Sequence, residues 1–401
     1  MRKILFVDDE PKVLQGLQRM LRSMRQEWEM SFAENGAQAL EILKEKPFDV
    51  IVSDMRMPGM DGAELLKRVM QQFPQVVRLI LSGQSEREMI MRAMGCTHQF
   101  LSKPCDPELL KATVSRAFAL RDLLANEALK QLVLQIQTLP SLPSLYVELT
   151  QELQSPDASI KSAAEIISRD VAMTAKILQL VNSAFFGLRE HVSSPVRATS
   201  LLGLDTVKAL ALSLQVFSQF DRATLPGFSL SELWSHSLNV GRFAKQICTS
   251  ATQDRNMRDE ALIAGLLHDT GKLVLAANLP REYAKAMTLA CEEGIGVEQA
   301  EQRVFGASHS NVGAYLLGLW GQPDSVVEAV AFHHQPSQSA SQTFSVLTAV
   351  HVGNSLDREQ SAGPDNAVTS VLEEAYIDRL GFSEQLSLWR KICSAEIKHN
   401  E

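Results

Sequence analysis

Ile4-Leu5-Phe6-Val7-Asp8-Asp9, close to the N-terminus, is an apolar run of strand type that ends on two adjacent carboxylates. The same layout returns three times. Val50-Ile51-Val52 leads to Asp54, Arg78-Leu79-Ile80-Leu81 to Ser82-Gly83, and Gln99-Phe100-Leu101 to Lys103-Pro104, with a Met57-Pro58-Gly59 turn after Asp54. Read as parallel strands of one sheet, these runs share a carboxyl edge, where open α/β sheets hold their ligand sites. Three carboxylates, a hydroxyl and an ammonium then meet in one cleft.

That inventory has a specific chemical use. Clustered carboxylates repel one another and stay ionised when a divalent cation shares the site, and hard oxygen donors suit Mg²⁺, which also binds phosphate oxygens. Asp54 is then the attacking carboxylate and phosphoryl acceptor, Asp8 and Asp9 hold the metal, and Lys103 neutralises charge on the phosphoryl oxygens. Ser82 hydrogen-bonds a phosphoryl oxygen, and the nearby Phe100 changes rotamer in response. With these fragments in order, residues 1–122 resemble the receiver domain of two-component response regulators. The resemblance implies a flavodoxin-like, doubly wound five-stranded parallel sheet and a sensor histidine kinase as phosphoryl donor. It also implies Mg²⁺ bound by Asp9, Asp54 and the Arg56 carbonyl. Arg56 and Gln84 flank the acceptor and are placed to tune dephosphorylation.

Length and composition bound the remainder. A chain of 401 residues with 45% hydrophobic content accommodates two or three compact units. No apolar stretch reaches membrane-spanning length, and the N-terminus runs into a strand without a signal-peptide layout, so the expected compartment is the cytoplasm, with no membrane partner. The cysteines, Cys96, Cys105, Cys248, Cys291 and Cys393, have neither metal-ligand nor disulfide spacing and read as reduced thiols. A formal net charge of −8 with no basic stripe argues against nucleic acid as a partner.

After Lys103-Pro104 the alternation of strands and helices gives way to helices alone. Residues 106–137 read as one helix, capped by Asp106 with Pro107 in its first turn, and apolar at Leu110, Val114, Ala117, Leu124, Ala128, Leu132 and Ile136. Such a helix continues the last receiver helix through a linker, 123–138, and offers a stripe for homodimer formation. Leu139-Pro140-Ser141-Leu142-Pro143 opens an all-helical unit expected over 139–357, followed by a helical extension over 358–401. Pro156-Asp157, Phe186-Gly187 and Ser194-Pro195 punctuate its helices, and Gly271 permits a turn after His268-Asp269.

The chemistry of this second unit rests on histidines. His236, His268-Asp269, His309 and His333-His334 supply imidazole and carboxylate, the ligand types of hydrolytic divalent-metal centres. His98, His191 and His399 read as ordinary core or surface residues. Leu266-Leu267-His268-Asp269-Thr270-Gly271-Lys272, preceded by His236, resembles the HD superfamily of metal-dependent phosphohydrolases. Residues 139–355 are more similar to its HDOD (HD-related output domain) branch, through the Leu139–Pro143 opening, the Ile177–Phe186 segment and Ala198–Leu204. Two departures from active HD enzymes matter. Gly353-Asn354 stands where the family has Ala-Asp, and His333-His334-Gln335-Pro336 lacks the acidic and Gly-Tyr-Pro elements of the enzymes that hydrolyse cyclic di-GMP. The resemblance therefore favours a docking module for a downstream signalling protein, with His236, His268, Asp269, His309, His333, His334 and Asn354 as a vestigial site without metal. A metal-dependent phosphohydrolase under receiver control is the alternative.

Overall fold

The computed structural model describes residues 1–82, 93, 96–122, 124, 126–136, 140–141, 143–155, 157–182, 191–204, 207, 218–219, 229–361 and 372–398. Among features read from the sequence, Gly83, Gln84, Leu139, Leu142, Pro156, residues 183–187, 367–371 and His399 lie outside the described residues. The chain divides into two compact units. One comprises Met1–Gln137, Gln179–His191 and Gly318–Gly321, and the other comprises Thr138–Leu178, Val192–Leu317 and Gln322–Glu401.

Five strands form the sheet of the first unit: β1 (Arg2–Val7), β2 (Trp28–Ala33), β3 (Val50–Asp54), β4 (Val77–Ser82) and β5 (Gln99–Ser102). They are parallel and ordered β2-β1-β3-β4-β5, the doubly wound arrangement expected from the apolar runs. The central strands β3 and β4 are buried along their whole length, which is why they read as continuous apolar runs rather than alternating ones. Helices α1 (Pro11–Met20), α2 (Gly36–Glu45), α3 (Gly62–Gln72) and α4 (Pro107–Asp122) flank the strands in sequence. Asn35 and Asp61 cap α2 and α3 through their side-chain oxygens, and Asp106 accepts from the Glu108 and Leu109 amides at the start of α4.

The single helix expected over 106–137 is two. α4 ends at Asp122, and α5 begins at Glu127 and runs to Gln135. Asn126 explains the break: its backbone is extended, and its side chain caps the Ala128 and Leu129 amides, starting a new helix. The far end of α5 is tied to the sheet. Arg78, buried on β4, donates to the carbonyls of Val76, Cys96 and Leu134, and His98 accepts the Arg78 backbone N–H on Nδ1, leaving its Nε2–H for the Leu134 carbonyl. The apolar stripe expected to serve a homodimer along 106–137 is therefore interrupted at Asn126.

The second unit is helical apart from the two-residue parallel pair β6 (Pro140–Ser141) and β7 (Ser218–Gln219) among the described residues. Its early helices are α6 (Pro143–Gln154), α7 (Ile160–Ser168), α8 (Val171–Val181) and α9 (Pro195–Leu202). The core helices are α10 (Leu230–Ala251), α11 (Arg255–Leu267), α12 (Thr270–Asn278), α13 (Pro280–Glu293), α14 (Val297–Phe305), α15 (His309–Leu319), α16 (Asp324–Phe332) and α17 (Val346–Ser361). α17 runs past the expected boundary at 357/358 to Ser361, and Asp357 within it meets His236 of α10. Beyond it, α18 (Glu374–Leu380) and α19 (Leu386–Lys398) complete the core, with Trp389 buried and its indole N–H on Ser250 of α10. No described helix is long and apolar enough to cross a membrane.

Two glycine contacts set the helix spacing. A Cβ on Gly265 would lie 2.6 Å from the Gly241 Cα, so α10 and α11 pack backbone to backbone. Gly271 sits inside α12 rather than in the expected turn, and a Cβ there would lie 1.9 Å from the His309 carbonyl oxygen. The glycine serves close approach of α12 to α15.

Candidate functional site

The parallel register brings the first cleft together. Asp8 follows β1, Asp54 ends β3, Ser82 ends β4 and Lys103 follows β5, with Asp54 paired to Leu81 and Ser82 to Ser102. One ligand oxygen each from Asp8, Asp9 and Asp54 fall within 4.8 Å of one another. Lys103 Nζ lies 2.5 Å from Asp54 Oδ1 and 2.9 Å from Asp8 Oδ2, bridging the two carboxylates. Burial pushes the Asp54 carboxyl above its ordinary value, and the Lys103 ammonium only partly offsets that. Burial opposes the Lys103 charge in turn, but Asp54 and Asp8 outweigh it and hold the ammonium above its ordinary value. Ser82 and Phe100 are both buried beside this edge, and Arg56 lies exposed two residues past Asp54. Three oxygen donors within reach of one point fit the Mg²⁺ that such a cleft calls for.

The second site is built around Asp269. His268 is the C-cap of α11 and Asp269 the N-cap of α12, so one bend between helices carries both side chains inward. His236 comes from α10, His309 from the first turn of α15, and His333-His334 from the end of α16. Two ligand groups result, each with its atoms within 4.8 Å: His236, His268 and Asp269, and Asp269, His309, His333 and His334. Asp269 belongs to both. Its Oδ2 faces His268 Nε2 at 3.4 Å and His236 Nε2 at 3.7 Å, while its Oδ1 faces His309 Nε2 at 3.3 Å and His333 Nε2 at 3.7 Å.

The outer ring nitrogens fix the tautomers. Nδ1 of His268 donates to the Gly265 carbonyl at 2.7 Å and Nδ1 of His333 to the Val330 carbonyl at 2.9 Å. Nδ1 of His236 meets Asp357 Oδ2 at 2.6 Å, and Nδ1 of His309 meets Glu301 Oε2 at 2.6 Å. Each of these four imidazoles therefore turns its Nε2 inward, and although burial opposes the His309 charge, Glu301 and Asp269 outweigh it and hold that ring's pKa above the ordinary histidine value. His236 Nε2 and His268 Nε2 stand 3.2 Å apart, two lone pairs that only a shared cation or proton reconciles. Buried His333 Nε2 and Asp269 Oδ1 have no hydrogen-bond partner. Orphaned ligand atoms in this donor set fit a divalent cation. Burial pushes His268 and His334 well below the ordinary histidine value and His333 down to about 4, so these rings are neutral and ready to donate electron pairs.

The neighbours of Asp269 are cationic. Lys272 Nζ lies 2.6 Å from Oδ2 and an Arg358 guanidinium nitrogen 3.9 Å away, and Arg358 also donates through Nε to the Asn354 amide oxygen at 3.2 Å. Asn354 is thus engaged with Arg358 on α17, while Asp357, one turn on, supplies the carboxylate at His236. Sequence reasoning missed Asp357, Glu301, Lys272 and Arg358 as members of the site. A weak signal existed for one of them: Asp357 follows Asn354 at a spacing that shares a helix face. His351 is structural, its Nδ1–H on the His333 carbonyl and its Nε2 accepting the Glu373 amide.

The sequence matches the response regulator receiver domain family over residues 4–115 and the HDOD domain family over residues 139–336. An uncharacterized protein of Treponema pallidum is 26% identical over 223 residues, which is 55% of this chain and 42% of that protein. The response regulator protein PilR of Pseudomonas aeruginosa is 32% identical over 128 residues, 32% of this chain and 28% of its own length. Among solved structures, the MmoQ response regulator of Methylococcus capsulatus is 27% identical, with 63% of this chain and 98% of that one covered and a TM-score of 0.48. The chain spans less than half the length of these curated relatives. With a strand-end acidic cleft in one unit and a histidine centre in the other, the chain is a two-component response regulator that joins a receiver domain to an HDOD domain.

Proposed function

We propose that Asp54 accepts a phosphoryl group from a sensor histidine kinase and thereby switches the HDOD unit, whose output is the docking of a downstream signalling protein. The observation that supports this most directly is Lys103 bridging Asp54 and Asp8 at the carboxyl edge of the sheet. An Asp54 oxygen attacks the phosphorus of phosphohistidine, the P–N bond breaks and the imidazole leaves. Lys103, released from Asp54, pairs with the new phosphoryl oxygens, and Ser82 on the adjacent strand hydrogen-bonds another. Asp8, Asp9 and Asp54 would hold Mg²⁺, which neutralises phosphoryl charge when bound. Incubation with acetyl phosphate and Mg²⁺, followed by phosphate-affinity electrophoresis, is expected to show one retarded species that disappears in Asp54→Asn. A retarded species that persists in this variant overturns the assignment.

A second reading of the HDOD unit, hydrolysis of a phosphoester, is favoured by the convergence of five imidazoles on Asp269. His236, His268 and Asp269 would hold one divalent ion, and Asp269, His309, His333 and His334 another; such an ion supplies Lewis acidity toward a phosphoester oxygen. Lys272 and Arg358 already offset the Asp269 charge, so bound cations leave the site positive and suited to a phosphate anion. Metal analysis with turnover of bis(p-nitrophenyl) phosphate separates the two readings. Turnover lost in His268→Ala establishes hydrolysis, whereas a cation-loaded protein without turnover leaves docking as the output.

A further inference from the structure

We infer that Asp357 and Glu301 are positioning residues of a divalent-cation centre at Asp269, with Asp357 restoring, one helical turn along, the negative charge that Asn354 lacks. The inference rests on reading the histidine cluster as a cation site. Its distinctive observation is the division of labour among the outer ring nitrogens. On each side of Asp269 one imidazole is held by a backbone carbonyl and its neighbour by a buried carboxylate: His268 by Gly265 and His236 by Asp357 on one side, His333 by Val330 and His309 by Glu301 on the other.

Both carboxylates are fixed by more than the imidazole. Asp357 Oδ1 accepts from the Asn239 amide at 2.9 Å while Oδ2 holds His236, so two residues one turn apart on α10 lock its plane. Glu301 Oε2 takes both the His309 ring N–H at 2.6 Å and the His309 backbone N–H at 2.7 Å, and the residue is fully buried. A carboxylate at Nδ1 fixes the tautomer and makes Nε2 a stronger donor, and loss of such a partner typically weakens metal binding about 10–100-fold. A mixed imidazole and carboxylate set of this kind favours first-row transition cations such as Mn²⁺, Fe²⁺, Co²⁺ or Zn²⁺ over Ca²⁺.

The test uses the full chain with Mn²⁺ for calorimetric titration and Co²⁺ for visible absorption. Asp54→Asn is carried as the background in every sample, so that the receiver cleft contributes equally throughout. Asp357→Asn and Glu301→Gln are expected to weaken binding at the histidine centre about 10–100-fold and to move the Co²⁺ ligand-field bands, with Glu301→Asp recovering part of the affinity. A merely structural role would lower the unfolding midpoint of the cation-free protein and leave affinity and spectrum unchanged. If the parent binds no cation that His268→Ala abolishes, the cation reading falls and this inference with it. If it binds and both carboxamide variants bind equally well, the positioning role alone is overturned. Should Glu301→Gln fail to fold by circular dichroism, Asp357→Asn decides.

Discussion

Gly271 shows how far the chemistry of this protein depends on single atoms. A methyl group there would meet the His309 carbonyl at 1.9 Å, and because both partners are backbone, the helices rather than a side chain must yield. Gly271→Ala is expected to cost about 1–3 kcal/mol in urea unfolding and to displace His309 from Asp269, weakening cation uptake at the group that includes His309 while leaving His236, His268 and Asp269 together. Stability unchanged within error would mean that α12 and α15 have slack. His351 gives a pH signature of a different kind. Burial holds its pKa below the ordinary value, so the folded state keeps it neutral while the unfolded chain protonates at about 6.5. The unfolded state then binds more protons, so the His351 contribution is present above pH 6.5 and lost as pH falls toward its folded value. The stability difference between wild type and His351→Gln should shrink from pH 7.5 to pH 5, measured by urea unfolding; a constant difference would contradict the burial of a neutral ring. These residues also mark the limit of sequence reading. The histidines were legible because imidazole is rare and His-Asp adjacency is distinctive. Asp357 and Glu301 were not, because an acidic residue on an amphipathic helix looks the same whether it faces water or the outer nitrogen of a buried ring.

Elements were read best where burial writes itself into the pattern. Strands β1, β3 and β4 are apolar because the sheet buries them, and their polar termini announced the cleft. The 106–137 stripe misled because apolar residues continue at helical spacing across Asn126, and periodicity alone does not reveal a restart. The cap residue did carry the information: Asn followed by Glu is a helix start. What holds α5 against the sheet is a charge in an apolar strand. Arg78 spans from β4 to the Leu134 carbonyl at the end of α5, a helix C-terminus that favours a cation. Arg78→Met keeps the apolar stem and removes the guanidinium. It should destabilise the receiver unit by about 3 kcal/mol and accelerate hydrogen exchange across α5, with His98 alone left on Leu134. Exchange unchanged in α5 would show that its apolar face, Leu129 and Val133, suffices.

At the scale of the molecule the question is whether an event at Asp54 reaches Asp269, since each unit has a core of its own and could respond alone. Beryllofluoride with Mg²⁺ is expected to occupy the proposed acceptor cleft, and a ligand that binds only the receiver stabilises only the receiver unless the units share free energy; at a hundredfold excess over Kd that stabilisation is about 2.7 kcal/mol. Coupling, where present, is reciprocal: whatever beryllofluoride does to the helical unit, a change in the helical unit does to beryllofluoride affinity by the same factor, commonly about 5–150-fold. The switch therefore predicts a response in the helical unit to an event in the receiver unit. Amide exchange in α10 and α11, which carry His236 and His268, should change when beryllofluoride is added to the wild-type chain and stay constant in Asp54→Asn. Reciprocally, Lys272→Met, which disturbs Asp269 in the helical unit, should alter the beryllofluoride Kd. Exchange confined to residues 1–137 and a Kd indifferent to Lys272 would mean that the phosphoryl signal ends in the unit that receives it.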